Sequence, residues 1–363
     1  MRLVHVLWNM EIGGAERALF QLVREQRAHG IEADVMVGSR AGYYGERTRE
    51  VGARVTELGQ SGTFDLSVAG RVRELLGGYD VVHFHSAELG LMKIASRAPG
   101  IRRCYTHRAG MFRYGWKQLL RYKIAGRYLR DSFHALSGNT SQACDAASRL
   151  FRIPRNRFSV TYNGIDFTLL DPARTRAEVL AELGDDGADV LRIGTCANLR
   201  RLKRIDLLID AVARIGTHVR CYVIGEGPAR AELEEHARAM GVADRVIFTG
   251  TKQRMGDYLQ VLDLFTLPSG PEESFGNAAV EAMGVGIPTI VFEDGGGLRE
   301  HVEHGVTGYV VRDTAGLAST IELLAADPAL RERIGAAGRV AMRERYNPAR
   351  MVERYNRMYR GEA

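Results

Sequence analysis

Residues 262–292 read LDLFTLPSGPEESFGNAAVEAMGVGIPTIVF, and their punctuation decides the fold. An apolar run closes at Leu267, Pro268, Gly270 and Pro271 break it, and a helix is expected to start near Phe275. Residues 288–292 form a second short apolar run. Two strands joined by a helical crossover make a βαβ unit, whose strands lie parallel in one sheet.

The same alternation runs through the whole chain. Strands are expected at 3–8, 33–38, 54–58, 80–85, 102–107, 132–137 and 158–162, then at 190–196, 219–224, 246–249, 262–267, 288–292 and 308–311. Helical stretches lie between most of them. The expected fold class is α/β, with two Rossmann-like doubly wound parallel sheets, one in residues 1–165 and one in 190–345. A length of 363 residues agrees, at ~150 residues per domain. Residues 166–189 lack strand character and carry Pro172, Gly184 and Gly187, the pattern of a linker. A last helix is expected over 346–359.

At 45% hydrophobic and 26% charged residues, with 9 Pro against 41 Gly, the composition excludes a disordered or fibrous chain. No apolar run approaches the ~18 residues needed to cross a bilayer, and no period of 20 to 50 residues marks a solenoid. The N-terminus opens directly into a strand and lacks a cleavable signal pattern, so a cytoplasmic protein is expected. Cys104, Cys144, Cys196 and Cys221 have no metal-ligand spacing and read as buried thiols. Asn139, Thr140 and Ser141 read as the capped start of a helix.

Charge is unevenly spread. Residues 1–165 hold 25 Lys+Arg against 14 Asp+Glu, whereas 166–363 hold 25 against 30. Residues 89–130, beginning with Leu89, contain eleven basic side chains, the first Lys93 and the last Arg130, and no acid. An anionic partner for the first half follows; no nucleic-acid partner is expected.

Ligands of open parallel sheets bind beyond the carboxyl ends of the strands, so the residues just after each strand are the candidates. Gly13 and Gly14 lead into a helix whose N–H groups suit an anion, although a structural turn explains the pair almost as well. Neither G-x-G-x-x-G nor G-x-x-x-x-G-K-[ST] occurs. Glu273 and Glu281 are eight residues apart, one in the loop before the helix and one about two turns into it. One carboxylate could meet a ligand at the helix mouth and the other its distal hydroxyls. Gly276, Ala278 and Ala279 leave room beside the first turn. His83 and His85 share one face of a strand, but with no third ligand evident they read as structural or acceptor-side residues.

The 273–281 string resembles the E-x7-E signature of the retaining glycosyltransferases of family 4, which have the GT-B fold, two Rossmann-like domains facing across a cleft. Gly13-Gly14-Ala15-Glu16, Tyr162-Asn163-Gly164-Ile165-Asp166, Gly225-Glu226-Gly227-Pro228 and Gly296-Gly297-Leu298-Arg299-Glu300 resemble further segments of that family, in order, from about residue 10 to 311.

The resemblance implies that Glu281 accepts hydrogen bonds from the donor's ribose and that Glu273 lies near the transferred sugar. Phe275, Gly276 and Asn277, with Gly13 and Gly14, would complete the donor-binding set. Arg200 and Lys203 would grip the diphosphate as the glycosidic bond breaks. Many relatives carry Arg where this chain has Asn198, so the first cation place falls to Asn198 or Arg200. Arg201 and Arg204 read as surface ion pairs. His107 matches a histidine lining the reaction site. With no Asp-x-Asp motif, transfer without a metal and without a resident cofactor is implied. The last helix, within 346–363, would pack back on the first domain.

The implied activity is transfer of a sugar from a nucleotide sugar, a UDP-sugar first and GDP-mannose second, to an acceptor hydroxyl with retention at the anomeric carbon. A nucleotide-sugar epimerase or hydrolase would need no acceptor, and a non-catalytic sugar-binding subunit would not need these charges. The acceptor is either a soluble small molecule or a lipid-linked one. Arg113, Lys117 and Arg121 recur every four residues among Trp116, Leu119, Leu120 and Ile124. That apolar stripe either packs on its own sheet or rests on anionic lipid at the inner face of the membrane.

Overall fold

The side chains of β1 (Arg2–Leu7) show why the first sheet is covered on both faces. Val4 and Val6 enter one apolar core while Leu3 and Leu7 enter another, as successive strand residues must. A sheet apolar on both sides needs helices on both sides. The computed structural model describes residues 1–62, 65–187, 189–216 and 218–362, and the chain divides into two units.

The first unit comprises Met1–Ile165 and the chain from Tyr346 onward. To β1 it adds β2 (Glu32–Val37), β3 (Val55–Glu57), β4 (Val81–Phe84), β5 (Arg102–His107), β6 (Ala135–Gly138) and β7 (Phe158–Val160). Their order is β3-β2-β1-β4-β5-β6-β7, with every pair parallel. The second unit, Asp166–Arg345, contains β8 (Leu191–Cys196), β9 (Val219–Ile224), β10 (Val246–Gly250), β11 (Leu264–Leu267), β12 (Thr289–Phe292) and β13 (Tyr309–Val311). These run β10-β9-β8-β11-β12-β13, again all parallel. Both units are thus doubly wound α/β sheets. Strand order reverses between β1 and β4 in one and between β8 and β11 in the other, the switch points where such sheets take ligands.

The last helix, Pro348–Arg360, starts at an Asn347 side chain that accepts from the Ala349 N–H at 2.8 Å. It buries Met351, Val352, Tyr355, Met358 and Tyr359 in the core that holds Leu3 and Leu7. Gly164 is obligatory for this docking, because a Cβ there would lie 2.8 Å from Pro348 Cα.

Three local expectations are corrected. Residues 166–189 are not a bare linker: the Arg176–Glu182 helix begins in a capping box of Thr175 and Glu178, and buries Val179 and Leu180. Asp257 secures it by accepting from the N–H groups of Ala173 and Arg174 at 2.6 and 3.2 Å. The strand expected at 132–137 begins later, at Ala135, because the preceding helix, Trp116–Ser132, runs on to Ser132. The helix expected near Phe275 begins at Asn277, since Gly276 takes the left-handed conformation, φ 73°, immediately before it. As expected, Thr140 caps the Ser141–Phe151 helix, accepting from Ala143 N–H at 3.0 Å.

Candidate functional site

In the second unit the switch point brings two loops together. The loop after β8 ends in a single 3-10 turn, Arg201–Lys203, and the loop after β11 carries Glu273. Lys203 Nζ donates to Glu273 Oε2, and both side chains are largely buried. Ser269 Oγ donates to the same oxygen at 3.1 Å. The backbone holds Glu273 from both sides: its N–H donates to Gly270 O at 3.1 Å, and its carbonyl accepts from Gly297 N–H at 2.9 Å. Lys203 and Glu273, both expected at the site, are therefore adjacent.

Glu281 lies in the second turn of the Asn277–Val285 helix and is only 2% exposed. A solvated helix carboxylate would have been exposed, and this one is not. Gly276 must be glycine twice over: its φ is positive, and a Cβ would collide with the Leu298 side chain. Phe275 is buried against the His301 ring, with centroids 4.7 Å apart. His301 Nε2 donates to Phe275 O at 2.6 Å, and burial lowers its pKa to about 3, so the ring stays neutral and fixes this loop. Nothing in the sequence singled out His301.

The four cations after β8 have different fates. Arg200 is exposed, with no side-chain partner among the described residues. Asn198 is exposed beside it, and Arg200 N–H donates to Asn198 O at 2.8 Å. Arg201 pairs with Glu232 at the surface. Arg204 is a structural clamp: it donates to Asp294 through two nitrogens at 2.8 and 2.7 Å, and to the carbonyls of Pro268 and Ser269 at 2.7 and 3.0 Å. It thereby ties the β8 loop to the one before Glu273.

In the first unit His107 closes β5. Its Nδ1 shares a hydrogen with Tyr105 OH at 3.0 Å, and its buried Nε2 has no partner among the described residues. Burial lowers its pKa to about 4, so at neutral pH it is an uncharged imidazole with one nitrogen unused. Gly13 caps the Gly14–Ala28 helix in an extended conformation. Its missing Cβ leaves room for the Glu16 carboxyl group folded back over it, and burial raises the Glu16 pKa.

His83 and His85 do have a third histidine beside them. Parallel pairing of β1 with β4 sets His5 opposite His83, and the three rings offer ligand atoms within 4.8 Å of one another. Every ring nitrogen is nevertheless in a hydrogen bond, and the direction of one chain is fixed. Arg108 Nε can only donate, to His85 Nδ1 at 3.0 Å. A neutral His85 must then donate through Nε2 to His5 Nδ1 at 2.9 Å, and His5 through Nε2 to Gln26 Oε1 at 2.8 Å. His83 meets Tyr359 OH at 2.8 Å and Thr106 Oγ1 at 2.7 Å. Burial first, and the Arg108 charge among the further causes, lower all three pKa values. That charge, with six spent nitrogens, suits a neutral network better than a cation. Arg108, which the sequence reading passed over, also donates to Asn163 Oδ1 at 2.7 Å and Tyr355 OH at 3.0 Å. It thus ties the sheet to the last helix.

The basic stretch offers an uncovered face. The Trp116–Ser132 helix buries only Ala125, Gly126 and Leu129. Trp116 is 73% exposed, and Leu119, Leu120 and Ile124 are exposed with it, so the apolar stripe does not pack on the sheet. Lys117, Arg121, Lys123 and Arg127 are exposed on the same helix, while Arg113 precedes it.

Two doubly wound parallel sheets, each with polar side chains gathered at its switch point, define the class of two-domain Rossmann-like α/β proteins. Residues 12–169 match the family model described as Glycosyltransferase Family 4, and residues 190–327 match Glycosyl transferases group 1. The chain is 30% identical over 356 residues to the putative glycosyltransferase EpsF of Bacillus subtilis, covering 93% of this chain and 88% of that protein. It is also 30% identical over 210 residues to the N-acetyl-alpha-D-glucosaminyl L-malate synthase of Bacillus anthracis, covering 57% of this chain and 54% of that one. Among solved structures, Anabaena HepE in complex with UDP superposes with a TM-score of 0.88 at 19% identity, over 99% of this chain and 100% of that one. The chain belongs to the GT-B glycosyltransferases.

Proposed function

We propose that the protein moves a sugar from a nucleotide sugar, a UDP-sugar first and GDP-mannose second, to an acceptor hydroxyl with retention at the anomeric carbon. The donor binds the second unit and the acceptor the first. The observation that carries this reading is the Lys203–Glu273 pair at the β8/β11 switch point, with buried Glu281 eight residues on from Glu273. The UDP complex of HepE supports the nucleotide class.

In this reading Glu281 accepts from the donor's ribose, Phe275, Gly276 and Asn277 shape its seat, and Gly13 and Gly14 belong to the donor-binding set. Lys203 and Arg200 neutralise charge as the bond from anomeric carbon to phosphate oxygen breaks. The acceptor oxygen bonds to that carbon on the same face, and its proton passes to the leaving phosphate oxygen. His107, neutral and with Nε2 unused, offers a hydrogen bond to the sugar. With no Asp-x-Asp in the sequence, these groups do the work that a bridging cation does elsewhere, and no resident cofactor takes part. The uncovered basic and apolar face of the first unit rests on anionic lipid at the inner surface of the membrane.

A thermal-shift screen with UDP-, GDP-, ADP- and dTDP-sugars tests the reading. A ligand at 100 times its Kd adds about 2.7 kcal/mol, and one nucleotide should stand out, with transfer in the same mixtures unaffected by EDTA. No stabilisation by any of the four overturns the donor assignment. Loss of transfer with EDTA, restored by Mg²⁺ or Mn²⁺, overturns metal independence.

A further inference from the structure

Beyond the end of β4, against the Trp116–Ser132 helix, lies a cavity of about 170 Å³ walled by Ser86, Glu88, Gln118, Arg121 and Tyr122, among others. Glu88 is its unusual member. It sits at the start of the Leu89–Ala95 helix yet caps no backbone N–H with its side chain. It is 5% exposed, and its Oε2 has no hydrogen-bond partner among the described residues. Burial raises its pKa, against the Ser86 hydroxyl and the Arg121 charge. A buried carboxylate oxygen left without a donor is costly, and a fold that keeps one in a cavity wall keeps it for a ligand that brings the donor. The space is many times the ~10–15 Å³ that a single water requires, room enough for one sugar ring.

A second cavity, of about 140 Å³, shares Leu89 with the first. Leu66, Leu89, Gly90, Ile124 and Tyr128 make it apolar, and Lys93 adds its stem. Leu66 and Ile124 are themselves exposed, so this groove joins the uncovered apolar face of the Trp116–Ser132 helix. The eleven basic residues of the surrounding stretch favour an occupant held at an anionic surface.

We propose that the two cavities are the head and tail subsites of an amphiphilic acceptor: a sugar or other polyol whose hydroxyl donates to Glu88 Oε2, carried on an alkyl or polyprenyl chain that follows the Leu66–Ile124 groove. The proposal rests on the reading that the first unit takes the acceptor, and it narrows that acceptor to a lipid-borne one. Glu88 is then an acceptor-binding residue and takes no proton in the reaction.

Saturation-transfer NMR titrations with matched methyl and octyl glycosides of glucose, galactose and mannose, below their micelle concentrations, test it on the full chain. At least one octyl glycoside should bind tenfold or more tightly than its methyl counterpart. Glu88→Leu should weaken both members of that pair at least tenfold, with Glu88→Gln, the closer mimic, intermediate. Ile124→Glu, at an exposed position, should weaken only the octyl member, at least fivefold. UDP and GDP titrations in parallel separate the two readings: glycoside binding without nucleotide binding removes the donor assignment and leaves this one standing. Nucleotide binding with no glycoside binding, with equal methyl and octyl affinities, or with folded Glu88→Leu and Glu88→Gln variants unchanged, overturns the head-and-tail proposal.

Discussion

Lys203 and Glu273, seventy residues apart in sequence, form an ion pair where β8 and β11 meet. The pair is mostly shielded from water, so removing one partner strands the other's charge. Lys203→Met and Glu273→Gln should each cost about 1–3 kcal/mol of stability and more than tenfold in kcat. The double variant separates the two costs. Stability should recover at least in part, because neither charge is left alone, while activity should stay lost. Denaturant melts and initial rates on the four proteins check this, and a double variant that recovers both would make the pair purely structural.

Stability should fall steeply in mild acid. His107 and His301 have folded pKa values of about 4 and 3 against ~6.5 unfolded. Between pH 6.5 and 4 the unfolded chain therefore binds protons that the folded chain refuses, and stability drops as pH falls, by ~1.4 kcal/mol per pH unit for each group in that window. His5, lowered to about 4, and His83 and His85, held by burial well below the usual imidazole range, act in the same direction. Glu16 and Glu88, whose pKa values are raised, act oppositely but are fewer. Denaturation curves at pH 7, 6 and 5 should show an accelerating loss; a flat profile would mean these rings are not held neutral.

The sheets were legible because a strand buried on both faces must be an apolar run, and every expected strand has its counterpart within a few residues. The Thr175 and Glu178 capping box was equally visible as T-x-x-E, but a reading keyed to strands passed it over as linker. Of the candidate site, Glu273 and Glu281 could be proposed from eight-residue spacing within one segment. The pairing of Glu273 with Lys203 could not, since it depends on which strands become neighbours. His5 is the same case: His83 and His85 announce their shared face, but the third ring arrives only through the β1–β4 register. Glu88 carried no signal at all, because an orphaned oxygen is a property of its surroundings and not of its sequence.

The uncovered helix face should bind lipid. Trp116 and Leu120 are 73% and 53% exposed, and Lys117 stands over the Trp116 ring at 5.5 Å, so apolar and cationic groups present themselves together. Each basic side chain near an anionic surface is worth ~1 kcal/mol and fades with salt, and buried apolar area adds ~25 cal/mol per Å². Neither contribution alone holds a protein on a bilayer, but several of each do. The protein should co-sediment with vesicles containing phosphatidylglycerol and not with pure phosphatidylcholine, and release on raising NaCl. Trp116→Ser with Leu120→Ser, and separately Arg113, Lys117 and Arg127 each to Glu, should reduce the bound fraction severalfold, and the exposure of all five side chains means that neither change should disturb folding. Equal recovery in the supernatant with both kinds of vesicle would leave the exposed stripe without a membrane role.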